Sequence, residues 1–102
     1  MEKFILYLGL NDKDTKRQEI ATLEAYKVVN NIINNYCNGA TIYECQGIYK
    51  HDNGEIVFEK TLKIELMFVD RVTVVSIVKD LKKALNQESI VLQKEIVESE
   101  LI

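Results

Sequence analysis

Asn53-Gly54 constrains this chain more than any other dipeptide in it. Asn-Gly is the strongest short hairpin signal, because the tightest hairpin turn needs positive φ at both central residues. It stands between TIYECQGIYK and EIVFEKTLKIEL, two stretches that read as strands. A two-residue turn there predicts cross-strand partners whose numbers sum to 107. That register pairs Tyr49 with Phe58, Cys45 with Leu62, Tyr43 with Ile64 and Thr41 with Leu66 on a core-like face. The other face pairs Glu44 with Lys63, Gln46 with Thr61 and Ile48 with Glu59, which includes one pair of opposite charges. On this reading His51, the single histidine, is a residue beside an exposed hairpin tip.

The flanks of the hairpin follow helical and strand periods. The opening KFILYLGL is apolar on both faces, as a central strand is. Thr15-Lys16-Arg17-Gln18 matches a capping box, and Ala21, Ala25, Val28, Val29, Ile32, Ile33 and Tyr36 then recur at helical spacing. Asn38-Gly39 is a helix stop. After the hairpin, Asp70 caps a second helix with the stripe Val74, Ile77, Val78, Leu81 and Leu85, closed by Asn86-Gln87. SIVLQKEIVESELI supplies a last strand. The order β-α-β-β-α-β predicts an α+β, ferredoxin-like domain spanning residues 1–102. Two right-handed crossovers place both helices on one face of a four-stranded antiparallel sheet, with the first and third strands central.

Composition narrows the function classes. Of 102 residues, 47% are apolar and 28% charged, an ordinary globular balance. No run approaches the roughly 20 apolar residues of a membrane span, and the N-terminus lacks the pattern of an export signal, so a cytoplasmic location is expected. Net charge is −3 with both signs interspersed, and no basic stripe marks a nucleic-acid surface. Lysine outnumbers arginine, and Ile and Asn abound, a bias that points to an AT-rich coding genome.

Few side chains are arranged for chemistry. Cys37 and Cys45 lie outside metal or redox spacing and read as structural thiols. Six extended residues put Cys45 and His51 about 20 Å apart, too far for a nucleophile and its base. Asn11, Asp12 and Asp14 lack the glycine and glutamate of a calcium loop. Gly9 has no phosphate-loop context. No cofactor or metal is implied. The open sheet face is expected to carry Ile5, Tyr7, Ile42, Ile48, Val57, Met67, Val69, Val91 and Val97, too much apolar surface for a monomer. A homo-oligomer joined through that face is therefore expected, with Tyr7, Gln46, Lys63 and Glu65 lining any ligand cleft and Arg71 or Lys63 meeting a phosphate.

Short segments in order along the chain carry a resemblance: Leu8-Gly9-Leu10, Gly39-Ala40-Thr41-Ile42, Gln46-Gly47-Ile48-Tyr49-Lys50, Gly54-Glu55-Ile56 with Glu59, and Gln87-Glu88-Ser89-Ile90-Val91. Together they resemble an uncharacterised bacterial family of small α+β domains, a domain of unknown function. Members often have tryptophan where Tyr49 stands, and many carry an export signal. The resemblance implies the fold and no known activity. The topology is also similar to that of dimeric ferredoxin-like regulators and small oxygenases.

Three functional readings result. The first is a non-enzymatic binding or regulatory module acting as a homo-oligomer on a small molecule, such as a nucleotide, or on a protein. The second is a phage or mobile-element protein that neutralises a host defence factor or sequesters its signalling nucleotide. The third is a small enzyme with an inter-subunit site, using Tyr7, Glu44, Glu59 or Glu65 as acid-base groups.

Overall fold

The computed structural model describes residues 1–102. Six elements follow in the expected order: β1 (Glu2–Gly9), α1 (Thr22–Asn34), β2 (Thr41–Lys50), β3 (Ile56–Met67), α2 (Arg71–Ala84) and β4 (Val91–Ile96). They form one four-stranded antiparallel sheet in the order β2-β3-β1-β4, with β1 and β3 central. This is the ferredoxin-like α+β fold.

The strand period decides which side chains enter the core. Phe4, Leu6 and Leu8 of β1 alternate with Ile5 and Tyr7, and register sets them beside Leu66, Ile64 and Leu62 of β3. All six are fully buried against Ala25, Val29 and Ile33 of α1 and Val74, Ile77 and Leu81 of α2. Each helix therefore covers the same sheet face with the apolar stripe legible in its sequence. α2 starts as expected: the Asp70 carboxylate accepts the Thr73 N–H at 2.8 Å. That bond holds the carboxyl of Asp70 below its usual range.

α1 does not start at the capping box. Asp12 forms a tight turn instead, its Oδ1 accepting the N–H groups of Asp14 and Thr15 at 2.8 and 3.1 Å. The Asp12 N–H donates to the Arg17 carbonyl at 2.9 Å, and Asn11 bridges Gln18. The side chain of Gln18 then turns forward to Ile20 and Thr22 rather than back to Thr15. Local closure by an aspartate outcompetes the cap, so the helix begins at Thr22 with Ala21 supplying no side-chain cap.

The hairpin register also differs, by one residue. Observed partners sum to 106: Thr41 pairs with Glu65, Tyr43 with Lys63, Cys45 with Thr61 and Ile48 with Phe58. The loop is Asp52-Asn53-Gly54, closed by His51 N–H to Glu55 O at 2.8 Å and Gly54 N–H to His51 O at 2.9 Å. Within the loop only Gly54 has positive φ, +88°, so this is a three-residue loop with its left-handed position at glycine. A one-residue change exchanges the faces of β2. Tyr43, Cys45 and Tyr49 lie on the open face beside Lys63, Thr61 and Val57, while Ile42, Glu44, Gln46 and Ile48 lie on the helix side.

Candidate functional site

Two clefts flank the sheet ends. The more polar one lies where β1 and β2 finish and β3 and β4 begin, and encloses about 380 Å³. Asn11, Asp12, Lys13 and Lys16 of the β1–α1 loop form one wall. Gln87, Glu88 and Ser89 before β4 form another, and Tyr49, His51 and Glu59 of the hairpin form the third.

Hydrogen bonds tie these segments together. Gln87 is almost fully buried, and its amide donates to the carbonyls of Asn11 at 2.8 Å and Leu85 at 3.2 Å. Asn86, held at φ 48°, donates to both Asp12 and Asp14 at 2.9 Å. The carboxyl of Asp12 is pulled below the usual carboxylate range, first by the Asn86 amide and then by the two turn N–H groups. Across the cleft, Glu59 Oε2 accepts the Asn11 N–H at 2.9 Å. Tyr49 and His51 meet edge to face, with ring centroids 5.2 Å apart. His51 is therefore both a turn residue and a wall of the cleft.

Chemically the cleft offers three carboxylates (Asp12, Glu59, Glu88), two ammonium groups (Lys13, Lys16), two aromatic rings and a fixed amide. That set can take a flat ring, a cationic group and a small anion at once. Tyr49 and Glu59 belong to the open face of the sheet, so the cleft is continuous with that surface.

The residues singled out from sequence divide among three places. Tyr7, Lys63 and Glu65 do come together on the open face. Tyr7 pairs with Lys63, whose ammonium lies 3.8 Å from Glu65 and 5.5 Å from the Tyr43 ring centroid. Glu65 also bonds Lys3 at 3.3 Å and accepts from the Tyr43 hydroxyl at 3.3 Å. Glu65 is the main cause of the raised pKa of Lys3. Gln46 is on the opposite face, displaced by the register change. Arg71 opens α2, exposed and apart from both groups. Glu44 pairs with Lys60 at 2.8 Å on the helix side, whereas Glu59 lines the polar cleft. Sequence reading passed over Lys13, Lys16, Tyr49, Gln87 and Glu88 as cleft residues.

The second cleft, about 420 Å³, lies at the other sheet end against Cys37, Thr41, Met67, Phe68 and Leu101. It is more apolar. No helix is long and apolar enough to cross a membrane.

Fold and cleft define a small ferredoxin-like domain with a polar pocket at the loop end of its sheet. No family model matches the chain, and no curated protein matches it. Solved structures do. A phage SAM lyase in complex with S-methyl-5'-thioadenosine superposes with TM-score 0.69 at 19% identity, covering 92% of this chain and 79% of that one. The periplasmic divalent cation tolerance protein CutA from Archaeoglobus fulgidus gives TM-score 0.62 at 12% identity, over 99% and 88% of the two chains. The B. subtilis GlnK–ATP complex gives TM-score 0.55 at 14% identity, over 92% and 82%. At these identities the likeness is one of fold.

Proposed function

We propose that the chain works as a homo-oligomer that takes an adenosine-containing ligand of the S-adenosylmethionine class into the polar cleft. The carrying observation is the convergence of Tyr49, His51, Glu59, Gln87 and Glu88 on one water-accessible pocket. An adenine ring suits the aromatic pair. Both N–H groups of the Gln87 amide are spent on backbone carbonyls, which leaves its oxygen to accept from an exocyclic amine. The carboxylates suit a sulfonium and an ammonium, and Lys13 or Lys16 suits the ligand's own carboxylate. Adenosine-containing ligands in two fold neighbours, the phage SAM lyase and GlnK, agree with this assignment.

Assembly rests on the open face. Tyr43, Val91 and Met67 are exposed there beside partly exposed Tyr7 and Val57. A partner copy seated on that surface would abut the cleft at Tyr49 and Glu59 and shield the ligand from water.

A second reading, turnover, is favoured by the acidic lining. The carbon next to a sulfonium is already electrophilic, and a neutral thioether leaves without help from a metal or cofactor. The C–S bonding pair departs with the thioether as a C–O bond forms from water or from the ligand's own carboxylate, and where water attacks, a cleft carboxylate takes its proton. In phage hands, depletion of S-adenosylmethionine would disarm host enzymes that depend on it, which refines the reading of a protein that neutralises a host factor. The test is incubation of purified protein with S-adenosylmethionine, followed by mass spectrometry. Release of S-methyl-5'-thioadenosine that is lost in Glu59→Gln supports cleavage. Retention of the intact ligand supports binding alone, and neither result overturns both.

A further inference from the structure

Gly9 ends β1 on the open face, paired with Thr61 and diagonal to Glu59. A β-carbon built on Gly9 would lie 2.5 Å from both carboxylate oxygens of Glu59. Real β-carbons essentially never come that close, and because the atoms met are the flexible end of Glu59, an alanine there would displace the carboxylate and not the backbone. The backbone of Gly9 shows no left-handed φ, so conformational freedom does not explain the glycine. What explains it is the carboxylate lying across it. With that space open, Glu59 reaches the Asn11 N–H at 2.9 Å through Oε2, and the residue lines the cleft.

Two supports therefore hold one anionic group still: a missing methyl beneath it and a backbone donor at its tip. A carboxylate fixed in this way loses little side-chain entropy when it meets a cation, and the meeting is correspondingly selective. The geometry points to Gly9 as a positioning residue for Glu59, and to the carboxylate so held as the group that prefers a positively charged adenosyl ligand over its uncharged thioether. This rests on the assignment of the cleft to an adenosine-containing ligand. It adds which feature of that ligand is read, and by what.

The probes are S-adenosylmethionine and its thioether S-adenosylhomocysteine, which differ only in the sulfonium methyl and the charge it confers. Their affinities are measured by calorimetry, with KM in place of Kd where the first is turned over. Wild-type protein is expected to prefer the sulfonium on the order of tenfold or more, the weight of one charge-assisted contact. Glu59→Gln should abolish the preference, lowering sulfonium affinity by about the tenfold that separates the two probes in wild type and thioether affinity by less. Gly9→Ala should do the same, by pushing the carboxylate off Asn11. Gly9→Ala placed in the Glu59→Gln background should change the ratio no further, because the glycine acts only through the glutamate. A merely structural role for Gly9 would weaken both ligands equally.

Thermal melts give a second, independent reading. Gly9→Ala should lower the melting temperature by no more than the lost Asn11–Glu59 bond accounts for, and the loss should vanish in the Glu59→Ala background, where that bond is already gone. A wild-type preference retained in Gly9→Ala overturns this inference and leaves the cleft assignment standing, as does equal wild-type affinity for the two probes. Wild-type protein that binds neither probe overturns the cleft assignment, and this inference with it.

Discussion

Gly54→Val is the perturbation whose size follows most directly from the hairpin geometry. Gly54 sits at φ +88°, and a β-carbon placed there meets nothing within 4 Å. No clash adds to the penalty, so the whole effect is backbone strain. An L-residue in the left-handed region costs roughly 1–2 kcal/mol, and a β-branched one belongs at or beyond the upper end. For a chain of this length each kcal/mol moves the melting temperature by about 4–8 °C. One effect opposes the full loss. Asp52, Asn53, Glu55 and Ile56 are exposed, so the tip can fray locally and absorb part of the strain before the core feels it. Gly54→Val should therefore lower the melting temperature by about 4–12 °C. Fraying would also carry Tyr49 and His51 out of the cleft, so ligand affinity should fall with stability. His51→Ala, which leaves the loop bonds in place and loses one edge-to-face contact, should cost about 1 kcal/mol or less. Denaturation with urea, at a constant m-value, separates the two. Coincident curves for Gly54→Val and His51→Ala would refute the left-handed assignment at Gly54.

Leu81→Ala, at a site fully buried between α2 and the sheet, should cost about 2–5 kcal/mol by urea denaturation. On the proposed assembly through the open face, light scattering should show an oligomer that Tyr7→Asp dissociates, since an unpaired charge in a dry interface costs several kcal/mol. A wild-type monomer would refute that assembly. Ile48→Asp, now placed on the helix side of the hairpin and 66% exposed, should leave assembly intact. The folded Asp12 carboxyl titrates below its ordinary value of 3.8, so the stability it contributes is present above that value. It is lost as pH falls through the folded pKa. The protection of the Asp14 and Thr15 amides, relative to their intrinsic exchange at each pH, should accordingly fall as pH drops below the ordinary value of 3.8, and Asp12→Asn should flatten that dependence.

Much of the fold was legible because buried elements advertise themselves by period. Phe4, Leu6 and Leu8 on β1, and Val74, Ile77 and Leu81 on α2, are the residues their spacing assigns to the core. Asp70 caps α2 as its side-chain chemistry suggests. The hairpin register was not legible, since β2 is apolar on both sides. Ile42 and Ile48 point one way and Tyr43, Cys45 and Tyr49 the other, so two registers one residue apart each yield an acceptable face. The start of α1 was misplaced because Thr15 and Gln18 have a competitor, Asp12, that closes its own turn first. The cleft was hidden for a different reason. Its key bonds join Asn11 to Glu59, Asp12 to Asn86 and Asn11 to Gln87, groups whose proximity is a product of sheet order and not of spacing. Likewise, the close approach at Gly9 involves a residue on another strand.

The central claim is that the polar cleft, and not the apolar one at the far sheet end, holds an adenosyl ligand. A crystal structure of the protein with S-methyl-5'-thioadenosine tests it most directly. The account predicts the nucleoside between Tyr49, Glu59 and Gln87, with its thioether toward the carboxylate and its purine against the aromatic pair. Density against Cys37, Thr41 and Phe68 instead, or an empty polar cleft at saturating ligand, would contradict it.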